Sequence, residues 1–189
     1  MPLLDPPRVA YEDASCMVAT WRTIVIPVMG RGLHSAAGAR AQTRAIEAHG
    51  KIVGEGRLIE IVLIDTEVSL PGAEMRAALD AGVPIVSPYY GGVSAIFEGS
   101  GFRAALVRGV LTSFQMLSRH HYPQKTFATI EDCARWTFAL GQELGASIAS
   151  PREIVEAVES VRALALASGV FGPQRASARE AAGAPPGEA

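Results

Sequence analysis

Gly99-Ser100-Gly101-Phe102-Arg103-Ala104 has the G-x-G-x-x-[G/A] spacing by which a strand-to-helix turn brings backbone N–H groups against a dinucleotide pyrophosphate. It falls late in the chain, and no acidic residue stands at the end of a further strand about 20 residues on, where a ribose would need one. A tight turn that needs glycine for its backbone geometry is the expected reading. His120 and His121 are neighbours, and adjacent residues on a helix point apart, so a solvated helix end is expected rather than a metal site. Glu60 interrupts an apolar run. A carboxyl there is either an acid of raised pKa or a group that snorkels outward or pairs with an arginine, and the second is the expectation. No G-x-S-x-G elbow presents a nucleophile, and the pattern implies no cofactor and no catalytic group.

The elements that would position these groups alternate between strand and helix. Two apolar runs, residues 16–21 and 23–29, read as a hairpin, with Pro27 placing the second at an edge or a bulge because proline cannot donate to a ladder. After Gly30-Arg31-Gly32, Ser35 caps an alanine-rich helix that Gly50 is expected to stop. Residues 58–64 are almost continuously apolar and β-branched, as in a parallel strand covered on both faces. A short helix starts around Ser69-Leu70-Pro71-Gly72 and ends at Gly82, residues 83–88 stay ambiguous between strand and loop, and residues 93–97 form a strand. Helical spacing continues over residues 102–119. A short last strand, residues 125–128, leads into a capping box at Thr129 and Asp132, and a stronger one follows at Ser150 and Glu153 with Pro151 between them.

The fold class is therefore α/β, a small mixed and mainly parallel sheet with one additional C-terminal helix. Residues 1–15 read as a loose N-terminal segment, 16–145 as the α/β domain, 150–169 as the added amphipathic helix, and 172–189 as a tail too poor in apolar surface to order itself. With 17 basic and 19 acidic residues the charge is nearly balanced, which argues against a nucleic-acid partner. Cys16 and Cys133 lack metal-ligand spacing and read as buried thiols in a reducing cytoplasm. No stretch has the length of a membrane span or the pattern of a signal peptide, so a cytoplasmic location is expected. Parallel strands deliver their carboxyl ends to one rim. A partner or ligand surface is accordingly expected there, from Arg31, His34, Ser69, Gly72, Gly99, Ser100, Gly101 and Arg103, with no metal.

Two stretches, Ile96-Phe97-Glu98-Gly99-Ser100-Gly101-Phe102-Arg103-Ala104-Ala105 and Lys125-Thr126-Phe127-Ala128-Thr129-Ile130-Glu131-Asp132-Cys133-Ala134-Arg135-Trp136, resemble bacterial STAS/SEC14-like proteins, the anti-sigma-factor-antagonist-like domains. The resemblance covers roughly residues 16–144. It implies a STAS-like sheet with helices mostly on one face, and a non-enzymatic regulatory module that docks a protein partner, a regulator or a kinase. In the antagonists a phosphorylatable serine opens the helix after the central strand, usually within Asp-Ser-Ser-Gly. The corresponding stretch here is Glu67-Val68-Ser69-Leu70-Pro71-Gly72, so Ser69 is the candidate phosphorylation site, although the preceding Asp is missing and Leu70-Pro71 intrudes. The SEC14 side of the resemblance implies the alternative, a small-molecule or lipid carrier or sensor. A nucleotide-using enzyme at Gly99-Ser100-Gly101 ranks last, and self-association through the added helix is left open.

Overall fold

Residues 58–64 form a strand because their β-branched and apolar side chains suit burial on both faces, and the computed structural model places this strand, β4 (Leu58–Ile64), inside a six-stranded sheet. The structure describes residues 5–32, 34–69, 71–99 and 121–172. The sheet runs in sequence order: β1 (Arg8–Glu12), β2 (Cys16–Trp21), β3 (Ile24–Met29), β4, β5 (Tyr90–Ile96) and β6 (Gln124–Phe127). β1, β2 and β3 pair antiparallel, whereas β3 through β6 are parallel. Four helices accompany it among the described residues: α1 (Ala36–Val53), α2 (Ala73–Val86), α3 (Ile130–Glu143) and α4 (Pro151–Ala167). The helical spacing read over residues 102–119 lies outside the described residues.

Two apolar layers flank the sheet. Ile59, Ile61 and Leu63 face a core shared with Cys133 of α3 and Val158 of α4, while Leu58 faces the opposite layer with Ile46 of α1 and Val86 of α2. The helices thus divide two and two, where the sequence suggests a mostly one-sided arrangement. The cause lies in the strands. All but one residue of β4 and of β2 is buried, so each face presents apolar surface that a single helical layer cannot cover.

Several local expectations are corrected by packing. The segment expected to be loose contains β1, anchored by Asp13, whose carboxylate accepts from the Tyr11 hydroxyl at 2.7 Å and from the amides of Ser15 and Cys16 at 2.7 and 2.9 Å. Partial burial pushes the Asp13 pKa up, but these donated hydrogen bonds outweigh it and bring it down to about 2. Pro27 lies in an interior strand, not at an edge. β3 pairs with β4 at Val25 and Glu60 and again at Val28 and Leu63, and the gap in the pairing falls at Ile26 and Pro27, where a donor is missing.

Gly50 does not end α1. The helix continues to Val53 and stops at Gly54, whose φ of 101° suits glycine. Gly50 instead makes room for the Tyr89 ring, which would lie 2.5 Å from an added Cβ. Gly82 likewise does not end α2. An added Cβ there would sit 2.4 Å from Thr43 Oγ1, so this glycine lets α2 approach α1 closely. The helix runs through Pro84 to Val86, and a single 3-10 turn, Ser87–Tyr89, joins it to β5, which resolves the ambiguous stretch as helical.

The caps of the last two helices follow the sequence. Thr129 accepts from the Asp132 amide and Ser150 from the Glu153 amide. No helix among the described residues is long and apolar enough to cross a membrane.

Candidate functional site

The rim at the carboxyl ends of β3 and β4 is built around Asp65, the first residue after β4 and only 1 % exposed. Its carboxylate accepts from Arg31 Nε at 3.0 and 2.9 Å, from the Glu67 amide at 2.8 Å and from the Gly172 amide at 2.8 Å. Arg31 also reaches Glu67 at 3.5 Å. The segment after α4 closes over this cluster. Val170 O accepts from the Arg31 amide, and a Cβ on Gly30 would lie 1.9 Å from that oxygen.

Of the residues assigned to this rim from sequence, Arg31 is thus engaged in an internal ion-pair network. A ring nitrogen of His34 lies 3.0 Å from Gly30 O. Ser69 is exposed, but it does not cap α2: the capping position belongs to Gly72, which makes no side-chain cap bond. Gly99 follows β5. Ser100, Gly101 and Arg103 lie outside the described residues.

A second arrangement is the more unusual chemically. Leu58 pairs with Tyr90 across β4 and β5, and side chains two apart on a strand share a face, so Glu60 and Tyr90 come together on the face covered by α1 and α2. The Tyr90 hydroxyl donates to Glu60 Oε2. Glu60 is 8 % exposed, and burial pushes its pKa up to about 8. No Lys, Arg or His among the described residues forms an ion pair with it. At neutral pH this carboxyl is protonated.

Glu60 borders a cavity of about 230 Å³ between α1, α2 and the sheet. Its polar lining comes from Gln42 and Thr43 of α1 and from Gln124 at the start of β6, and its apolar lining from Ile46, Leu79 and Val93 among others. Tyr122 completes one wall, its ring 5.3 Å from that of Tyr90 and inclined at 67° in an edge-to-face contact. Burial raises the Tyr122 pKa, an effect that the hydrogen bond with Ser87 opposes and the nearby Glu60 charge reinforces.

The sequence offered one signal for this site, an acid inside an apolar strand, and the expectation that Glu60 snorkels outward or finds an arginine is overturned. The side chain points into the α1–α2 layer, where a tyrosine is its partner. Tyr90, Tyr122 and Gln42 carry no pattern of their own in the sequence.

The two cysteines are buried, as read from sequence. Burial pushes the Cys16 thiol up to about 12 and that of Cys133 to about 11, and Cys133 donates to Ser94 Oγ at 3.3 Å. Among the described residues no group of three or more His, Cys, Asp or Glu side chains is arranged to hold a metal ion. Comparison with protein-family models, with curated proteins and with solved structures found no match to this chain.

Proposed function

We propose that the chain works as a cytoplasmic, non-catalytic regulatory module of STAS/SEC14-like type whose input is a small molecule held in the cavity beside Glu60. The observation that carries this reading is the uncompensated carboxyl of Glu60, buried in the centre of a sheet and bordering a cavity. A buried acid without a cationic partner lowers stability, and an apolar residue would serve the core of β4 better. Convergent polar groups in a largely apolar cavity are what small-molecule sites use to orient a ligand. The cavity is smaller than the roughly 300 Å³ at which drug-sized sites begin, so the ligand is small.

The reading is tested by ligand-observed NMR with a fragment library, comparing the wild-type chain with Val93→Trp, which fills the cavity from β5. Fragments that bind the wild type and are lost in a folded Val93→Trp variant support it. Equal binding to both proteins contradicts it.

A second reading, a protein-docking surface regulated by phosphorylation, is favoured by the exposure of Ser69 on the loop between β4 and α2. A phosphate there would add charge beside a loop already carrying Arg31, Asp65 and Glu67. Mass spectrometry of the protein from its own cells decides the matter: phosphate localised to Ser69 supports this reading, and an unmodified Ser69 under all growth conditions counts against it.

A further inference from the structure

We infer that the cavity takes a small organic cation, an ammonium group on a short hydrocarbon tail, with Glu60 as its counter-ion and the rings of Tyr90 and Tyr122 beside it. The inference rests on the cavity being a ligand site, and it is carried by the charge inventory of the walls. Among the described residues the lining contains one carboxyl, two phenols and no Lys, Arg or His. α1 and α2 contribute no ionisable side chain to it, β5 contributes Tyr90, and the segment before β6 contributes Tyr122.

An anionic ligand, a carboxylate or a phosphate ester, would meet no positive charge in these walls and would face an acid. A cation gains a counter-ion that the protein otherwise leaves without one, and it gains the faces or edges of two aromatic rings set at 67° to each other. Ile46, Leu79, Val86 and Val93 provide apolar surface for the tail, and the volume of about 230 Å³ limits its length.

The proton balance follows directly. The free protein carries the proton on the Glu60 carboxyl, and the bound state holds carboxylate against ammonium, so one proton passes to solvent for each cation bound below pH 8. Glu60 titrates at about 8 in the free protein, so affinity for an ammonium should fall by about tenfold per pH unit below that value. A neutral ligand of the same shape shows no such dependence.

The experiment uses the full chain and three probes of one shape: benzylammonium, benzyl alcohol and benzoate. Binding is followed by NMR titration at pH 6.5, 7.5 and 8.5, and proton release by calorimetry in two buffers of different ionisation enthalpy. The expected result is that benzylammonium binds at least about tenfold more tightly than the other two at pH 8.5, releases close to one proton at pH 6.5, and loses its advantage in Glu60→Gln while benzyl alcohol binding persists.

The inference is overturned if benzoate or benzyl alcohol binds as tightly as the ammonium, if Glu60→Gln keeps the preference, or if none of the probes binds. Binding of benzyl alcohol alone, abolished by Val93→Trp, would reject the cationic ligand and leave the cavity reading standing. Probe affinities unchanged by Val93→Trp would reject the cavity itself.

Discussion

The Tyr90 hydroxyl on β5 donates a hydrogen bond to the buried carboxyl of Glu60 on the neighbouring strand β4. The bond gives Glu60 a neutral partner in a place where most acids would need a cation. Glu60 therefore holds its proton to about pH 8, and the cavity beside it presents a carboxylic acid rather than a fixed negative charge.

Stability should record that proton. Glu60 titrates near 4.5 in an unfolded chain and near 8 in the folded one, so its contribution is fully present below the lower value and is lost as pH rises through the upper one. Between the two, the folding constant falls by about tenfold per pH unit on account of this group. Glu60→Gln removes the dependence. Urea unfolding should show the variant gaining on the wild type from pH 5 to pH 8.5, and a constant difference over that range would contradict the burial of an unpaired acid.

The contact of Gly82 with Thr43 makes a packing prediction. Gly82→Ala gains helix propensity of about 1 kcal/mol but drives a methyl to 2.4 Å from Thr43 Oγ1, and overpacking of this kind costs about 1–3 kcal/mol. The single variant is expected to be destabilised, and Thr43→Ala should restore it in the double variant. A double-mutant cycle with no coupling would show that α1 and α2 do not approach closely at this point.

Asp65 ties together the loop after β3, the loop after β4 and the segment after α4. Asp65→Ala leaves Arg31 and two backbone amides without their acceptor, an expected loss of about 2–4 kcal/mol. Hydrogen exchange at the Gly172 amide should accelerate in the variant. Unchanged protection there would place the C-terminal segment elsewhere.

Cys16 and Cys133 should resist alkylation. Both thiols are buried, with pKa values pushed to about 12 and about 11, and the thiolate is the nucleophile. Iodoacetamide at pH 8 is expected to modify neither in the native protein and both in urea, as read by intact mass. Modification of the native protein would indicate that the surrounding core opens.

What the sequence made legible is what local chemistry determines. The apolar run of β4, the cap of α3 at Thr129 and the cap of α4 at Ser150 are each set by a few neighbouring residues. β1 was missed because its Arg8-Val9-Ala10-Tyr11-Glu12 sequence is largely exposed at the edge of the sheet and shows little apolar alternation. Gly50 and Gly82 read as stops when only the backbone preference of glycine is considered, whereas their use depends on Tyr89 and Thr43 from other elements. The same limit hid the site. Glu60 was visible as an acid out of place, but its partner stands 30 residues further on, and only the pairing of β4 with β5 brings the two together.

The most direct measurement is the titration of the Glu60 side-chain carboxyl by carbon-13 NMR, with the resonance assigned by its loss in Glu60→Gln, in the presence and absence of benzylammonium. The expected midpoint lies near 8 in the free protein and moves to lower pH as the cation is added. A midpoint at the ordinary value of about 4.5, unmoved by the amine, would contradict both the buried acid and the ligand it is proposed to hold.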